Sequence, residues 1–216
     1  MKEQNWFPLG WNDARVQRLL DHYDVQTDIE AVAKMKSSGF DPVAGPDARV
    51  LILGTLPGAA SLAKGQYYAQ PRNAFWRIMA DVAGAGPSLP YEERLRRLVE
   101  QRLALWDVCA SATRPGSLDS SIRTDSIRPN DFRRFLSSHP DILLICFNGA
   151  KAGALLQRLV PTLEARSARI RRVTLPSTSP AYASMPLERK IEAWRAALTG
   201  REVPRGLAEG LQEPGV

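Results

Sequence analysis

Histidine and cysteine are nearly absent from this chain, which holds two of each in 216 residues: His22, His139, Cys109 and Cys146. Two isolated cysteines exclude a disulfide framework, and neither has a cysteine or histidine partner at metal-ligand spacing. Cys146 lies within the apolar run Ile142 to Phe147, the setting of a small core residue. His22 reads as helical surface and His139 as loop, so neither a metal centre nor a histidine-based mechanism is expected, and no cofactor is implied. No apolar run approaches the roughly 20 residues of a spanning helix. The first residues, MKEQNWFPLGW, have no signal-peptide h-region, so the expected location is cytoplasmic and no membrane partner is expected. The segment GTLPGAAS lacks the Gly-Lys-Ser/Thr that completes a phosphate-binding loop. No internal repeat is present.

What is present is enough apolar sequence for a full core and an average share of charge. Lys and Arg outnumber Asp and Glu by 29 to 23. This modest basic excess suits a phosphate-rich partner without requiring one.

Three regions are expected: a helical appendage over 1–40, an α/β domain over 41–199, and a Gly/Pro/Glu-rich tail over 200–216. In the appendage, Asn12 caps a helix with Val16, Leu19, Leu20 and Tyr23 on one face. Thr27-Asp28-Ile29-Glu30 has the form of a capping box for a second helix ending near Gly39. Trp6, Phe7 and Trp11 require cover. From Asp47, strands and helices alternate. Strands are expected at Arg49–Gly54, Leu103–Val108, Asp141–Phe147 and Arg169–Leu175. Helices are expected near Ala74–Ala83, over Tyr91–Gln101, after Asn130 as a cap, from Gly149 to about Leu159, and over Leu187–Leu198. A long polar loop, Ser111–Ile127, follows the second strand. Such alternation implies a three-layer α/β/α fold with a central, largely parallel four-stranded sheet.

The stretch Leu51 to Trp76, LILGTLPGAASLAKGQYYAQPRNAFW, is the most informative part of the chain. A buried strand breaks at Gly54, and Pro57-Gly58 commits the backbone to a turn. Tyr67, Tyr68, Asn73, Phe75 and Trp76 follow within one loop. Open α/β sheets bind ligands at the carboxyl ends of their strands. The rings and the amide suit a flat polar heterocycle, held by stacking and hydrogen bonds. The topology brings four segments to the same rim: Gly54–Trp76, Trp106–Ser111, Asn148-Gly149 and Pro176–Pro186.

Together, GTLPG…SL…QYYAQPRNAFW, LWDVCAS…GSLD, FNGAKA and LPSTSPAYA resemble the uracil-DNA glycosylase superfamily, and within it the hypoxanthine-DNA (deoxyinosine) glycosylases. The resemblance covers about residues 41–198. It implies a monomeric enzyme that acts on DNA containing deaminated bases and cuts the N-glycosidic bond of an extruded base. Hypoxanthine is the expected base, with uracil and xanthine as alternatives. An alternative from another class is a DNA-binding module that has kept the scaffold and lost the chemistry.

The resemblance places Gly54 and Leu56 beside the base. Many relatives carry an Asp or Asn at the third position of the first motif to hold the attacking water, and Leu56 cannot. The branch resembled places a loop asparagine there instead, and Asn73 matches it. Its amide orients a water but cannot ionise. Asn73 also lies where an N-cap belongs for the helix at Ala74, and the two roles are compatible only if the side chain alternates. Tyr68 and Phe75 are the stacking candidates, Tyr68 ahead of Phe75, and Phe75 equally suits the core because it opens an apolar helix with Met79 and Val82 behind; Trp76 reads as core. Asp107 either reads the base edge or anchors the following loop. Asn148 either reads the base or caps the next helix. Ser177, Thr178, Ser179 and Pro180 stand where relatives often carry a histidine, leaving hydroxyls and N–H groups to grip phosphates. Tyr182 is placed to fill the gap in the base stack, and Arg114, Arg123 and Arg128 to track the DNA backbone.

Overall fold

The computed structural model describes residues 36–115, 118, 121–161, 163 and 169–200. The chain divides into two compact units, Met1–Lys36 and Ser37–Val216. The expected N-terminal helices, His22, Trp6, Phe7, Trp11, the residues from 201 onward, and Gly116, Ser117 and Asp119 of the GSLD motif lie outside the described residues.

Among the described residues the strands are β1 (Lys36–Ser38), β2 (Val50–Gly54), β3 (Leu103–Asp107), β4 (Cys109–Thr113), β5 (Arg128–Pro129), β6 (Leu144–Asn148) and β7 (Arg171–Leu175). The helices are α1 (Ala59–Lys64), α2 (Phe75–Ala83), α3 (Tyr91–Glu100), α4 (Phe132–Ser138), α5 (Ala150–Leu159) and α6 (Leu187–Leu198). The central sheet has the order β3-β2-β6-β7, and every neighbouring pair is parallel. The expected α/β architecture is therefore present.

Alternation along each strand builds the two faces of this sheet. Leu51 and Leu53 of β2, Ala104 and Trp106 of β3, and Ile145 and Phe147 of β6 pack in one core layer with Phe132, Phe135, Leu155 and Leu156. Ile52, Leu103, Leu105, Leu144 and Cys146 point to the opposite layer, with Phe75, Ile78, Met79, Leu98 and Trp194. Helices α4 and α5 thus cover one face, and α2, α3 and α6 the other. With both faces covered, the strands read as continuous apolar runs. Cys146 is buried, and desolvation pushes its thiol up to about 12. It is a core residue.

Several local expectations are corrected. Lys36–Ser38 is a strand, not the end of a helix. Cys109–Thr113, β4, occupies the start of the expected 111–127 loop and forms a second sheet of order β1-β4-β5. Its small residues and two-residue partner give no periodic signal. A helical turn, α1, follows Gly58 and closes at Gly65, whose φ of 61° is the left-handed stop of a helix C-terminus. The cap of α4 is Asp131, whose carboxylate accepts from Arg134 N at 2.9 Å. Asn130 instead donates through Nδ2 to Asp107 O at 2.8 Å and braces the end of β3. Strand β6 begins at Leu144, because Ile142 N is bonded to His139 O in the turn that closes α4.

Candidate active site

Parallel pairing sets Gly54 beside Asp107, and Asn148 beside Leu175, at the carboxyl edge of the sheet. Gly54 leaves room for the site. A Cβ built there would lie 2.4 Å from Asp107 Oδ1 and 2.9 Å from Tyr68 Oη. Strand end, carboxylate and phenol therefore meet at a point where only hydrogen fits. Asp107 is 3 % exposed.

The two adjacent tyrosines have opposite duties. Tyr67 is buried and pinned on three sides. Its N–H donates to Tyr91 Oη at 2.9 Å, its carbonyl accepts from Trp76 Nε1 at 2.9 Å, and its hydroxyl donates to Asp41 O at 3.2 Å. Burial, and then the charge of Asp107, hold its phenol far above the ordinary tyrosine range, so it stays a neutral donor. Tyr68 follows with φ 54°, a left-handed conformation uncommon for a non-glycine residue. That turn lays its ring on Phe75, with centroids 4.0 Å apart and planes 21° apart.

Phe75 is 0 % exposed. Trp76 and Trp194 meet it edge-on, at 5.0 and 6.1 Å. Of the two readings open for Phe75, core and base stacker, the structure bears out the first and corrects the second: its ring backs Tyr68, and Tyr68 is the partly exposed partner. Trp76 is core, with its indole N–H committed to Tyr67 O.

Asn73 is half-buried at the start of α2, and its Oδ1 accepts from Phe75 N at 2.9 Å. The helix begins one residue later than expected, with Ala74 as its N-cap and no side-chain bond from that residue, and it is the N–H of Phe75, the first helical residue, that Asn73 caps. The cap takes one lone pair of an sp² oxygen that has two, and leaves the amide N–H₂ uncommitted by that bond. Capping and water orientation are therefore compatible without alternation of the side chain. The next residue ties this loop to the fourth segment, because Ala74 N donates to Thr178 O at 2.9 Å.

Asn148 does not cap α5, whose N-cap is Gly149 with no side-chain bond. Its Nδ2 donates to Thr178 Oγ1 at 2.9 Å, and its Oδ1 accepts from Thr178 N at 2.8 Å. Thr178 is 1 % exposed, so its hydroxyl faces Asn148 rather than a phosphate, which corrects its expected DNA contact. Gly149, at φ 93°, lets Ser177 pass: a Cβ there would sit 3.1 Å from Ser177 Cβ.

Beyond Thr178 the loop folds on its own hydroxyls. Ser177 Oγ accepts from Ser179 N and Ser179 Oγ from Ala181 N, both at 3.2 Å. Ser177, Ser179, Pro180 and Tyr182 remain partly exposed. Lys190, in the first turn of α6, donates to Tyr182 O at 2.6 Å, and its ammonium lies 5.0 Å from the centre of the Tyr182 ring. Burial, and then nearby Arg77, hold this ammonium below the usual lysine range.

The aliphatic Leu56 packs in the core layer with Leu53 and Val108, so what its residue offers the rim is backbone. Arg114 is not on the surface. It is buried, and its guanidinium donates to the carbonyls of Leu56 and Pro57. Arg123 and Arg128 are exposed, with Arg123 3.4 Å from Asp125. Sequence reasoning missed the latches made by Arg114, Lys190 and Tyr91. A lone arginine after the small residues of β4 was the one signal for the first. A cavity of about 490 Å³, lined among others by Phe132, Leu136, Leu159 and Ile170, lies between α4 and the end of α5. None of the four converging segments lines it. No His/Cys/Asp/Glu cluster able to hold a metal occurs among the described residues, and no described helix is long and apolar enough to cross a membrane.

Comparison with known proteins identifies the family and agrees with the fold. The profile of the uracil DNA glycosylase superfamily matches residues 42–198. A hypoxanthine DNA glycosylase of Methanosarcina barkeri is 39% identical over 120 residues, which span 55% of this chain and 75% of that protein. One of Methanosarcina acetivorans is 42% identical over 120 residues, with the same coverage. The NMR solution structure of a Methanosarcina acetivorans protein, described as a candidate uracil DNA glycosylase, superposes with a TM-score of 0.63 at 34% identity and covers 77% of this chain and 98% of its own. The chain belongs to the uracil DNA glycosylase superfamily, in the branch of the hypoxanthine DNA glycosylases.

Proposed function

We propose that this protein is a monofunctional DNA glycosylase that hydrolyses the N-glycosidic bond of hypoxanthine in DNA, with uracil and xanthine as secondary bases. The observation that carries the reading is the arrangement around Tyr68: a partly exposed residue whose ring is backed by Phe75, its hydroxyl beside Gly54 and Asp107, and Asn73 on the same loop. Extruding a nucleotide costs a few kcal/mol of unstacking, and stacking on an aromatic ring returns about 1–3 kcal/mol per base. A ring already supported on its far face gives that return without first being ordered.

In this reading the outer face of Tyr68 takes the base, and Asp107 accepts the N1–H of hypoxanthine. Asn73 orients a water toward the anomeric carbon. Its amide cannot take a proton from that water, so its contribution is placement. The bond breaks through an oxocarbenium-like state as negative charge grows on the departing base. Ser177, Ser179 and Pro180 lie against the flanking phosphates, and Tyr182 enters the vacated stack. Because the nucleophile in this reading is water rather than an amine, the abasic strand is left uncut. The protein acts as a monomer in the cytoplasm.

The test is base release from duplexes carrying a single inosine, uracil or xanthine, read as strand scission after hot alkali. Release from inosine ahead of uracil supports the reading. Tight, salt-sensitive binding with no base released would make the protein a damaged-DNA-binding module instead.

A further inference from the structure

Arg114 belongs to none of the four motifs, yet it is 2 % exposed and grips the first of them. Its Nη1 donates to Leu56 O at 3.2 Å, and its Nη2 donates to Pro57 O. The two preceding carbonyls are held from the same segment of chain: Gly54 O accepts from Val108 N at 2.9 Å, and Thr55 O from Cys109 N at 3.0 Å. Four successive carbonyls of the opening turn are thus drawn toward residues 108–114. In a trans peptide the C=O and N–H are antiparallel, and no cis peptide occurs among the described residues. The N–H groups of Thr55, Leu56 and Gly58 are therefore turned to the other side.

We infer that Arg114 is a positioning residue for base release: its fork holds the opening turn so that these N–H groups meet the charge growing on the departing base. The inference rests on the glycosylase reading above. It answers a need within that reading, because neither the Leu56 side chain nor a histidine in the Pro176–Pro186 loop supplies a donor there. Donors fixed in advance at the site of developing charge act more strongly on the transition state than on the neutral base. Lysine is a poor substitute, since one ammonium does not reproduce a planar fork spanning two carbonyls.

The test is single-turnover hypoxanthine release by R114A, R114Q and R114K, measured beside duplex affinity and melting temperature. Wild-type protein sets the reference. If it releases no base, the functional reading fails, whereas if it is active and the variants match it, only this inference fails. R114A and R114Q are expected to lose about a hundredfold in rate, on the scale of one lost transition-state donor, with duplex affinity within about threefold. Millimolar methylguanidine is expected to restore part of the R114A rate, and R114K to fall between. Loss of affinity and rate in equal proportion without methylguanidine rescue would reduce Arg114 to a structural role and overturn the inference. If R114A and R114Q do not fold, R114K decides: about tenfold slower at an intact melting temperature supports it, and a wild-type rate overturns it.

Discussion

The opening turn and the Pro176–Pro186 loop, both at the carboxyl edge of the sheet, are fixed by different means. The opening turn, Gly54–Gly58, has almost no polar side chain and is held through its carbonyls by Val108, Cys109 and Arg114. The loop Pro176–Pro186 is rich in hydroxyls and is held at its base by Asn148, the Ala74 N–H and the Trp194 indole, and near its tip by Lys190. The first is a rigid backbone wall, fitted so closely that one Cβ would collide with Asp107 and Tyr68. The second is a tethered arm whose serines remain partly exposed. Chemistry that needs sub-ångström placement belongs against the wall, and contact with a deformable DNA backbone belongs to the arm.

The sharpest way to break the comparison is Gly54→Ala. Its methyl group must displace a buried carboxylate at 2.4 Å, so both the carboxylate and Tyr68 shift. Base release is expected to fall by at least about a thousandfold, beyond the loss of one transition-state group, with a measurable drop in melting temperature. A variant retaining wild-type release would show that the wall is not close-fitting. Tyr68→Ala removes the platform and uncovers Phe75, and a loss of about 1–3 kcal/mol in transition-state binding is expected from kcat/KM on inosine duplexes. Unchanged kcat/KM would move the base elsewhere.

Asn148→Ala loosens the base of the arm. It leaves the Thr178 N–H and hydroxyl without their partner, at about 1–3 kcal/mol of stability in urea unfolding. The accompanying loss is expected in DNA affinity more than in the rate of base release. The reverse pattern would make Asn148 a reader of the base. The smallest effect lies outside both regions. Because the Cys146 thiol titrates at about 12 in the folded chain, against an ordinary 9.0, its contribution to stability is complete below pH 9 and lost between 9.0 and about 12. Cys146→Ala should flatten that alkaline limb of a melting curve and leave base release unchanged.

The wall and the arm were not equally legible in the sequence. Strand alternation and the Gly/Pro break after Leu53 were enough to expect a parallel sheet and to bring Asn73, Asp107, Asn148 and Thr178 to one rim. The division of labour between paired residues was not legible. Tyr68 and Phe75 are both aromatic, and only packing shows that one backs the other. Asn148 looked suited to a base and better suited to a helix end, because its partner Thr178 is 30 residues away. Arg114 looked like surface because a charged residue is seldom buried, and its partners lie 57 and 58 residues earlier. Latches between distant segments carry no local pattern.

The central claim is that the Asn73 amide, while capping α2, places the water that attacks a base lying on Tyr68. Single-turnover hypoxanthine release by Asn73→Ala, beside duplex affinity and melting temperature, tests it most directly. The account predicts at least about a hundredfold slower release with affinity retained, against only the roughly 1 kcal/mol stability cost of a lost cap. A folded Asn73→Ala protein releasing base at the wild-type rate would contradict it and leave the residue a cap alone.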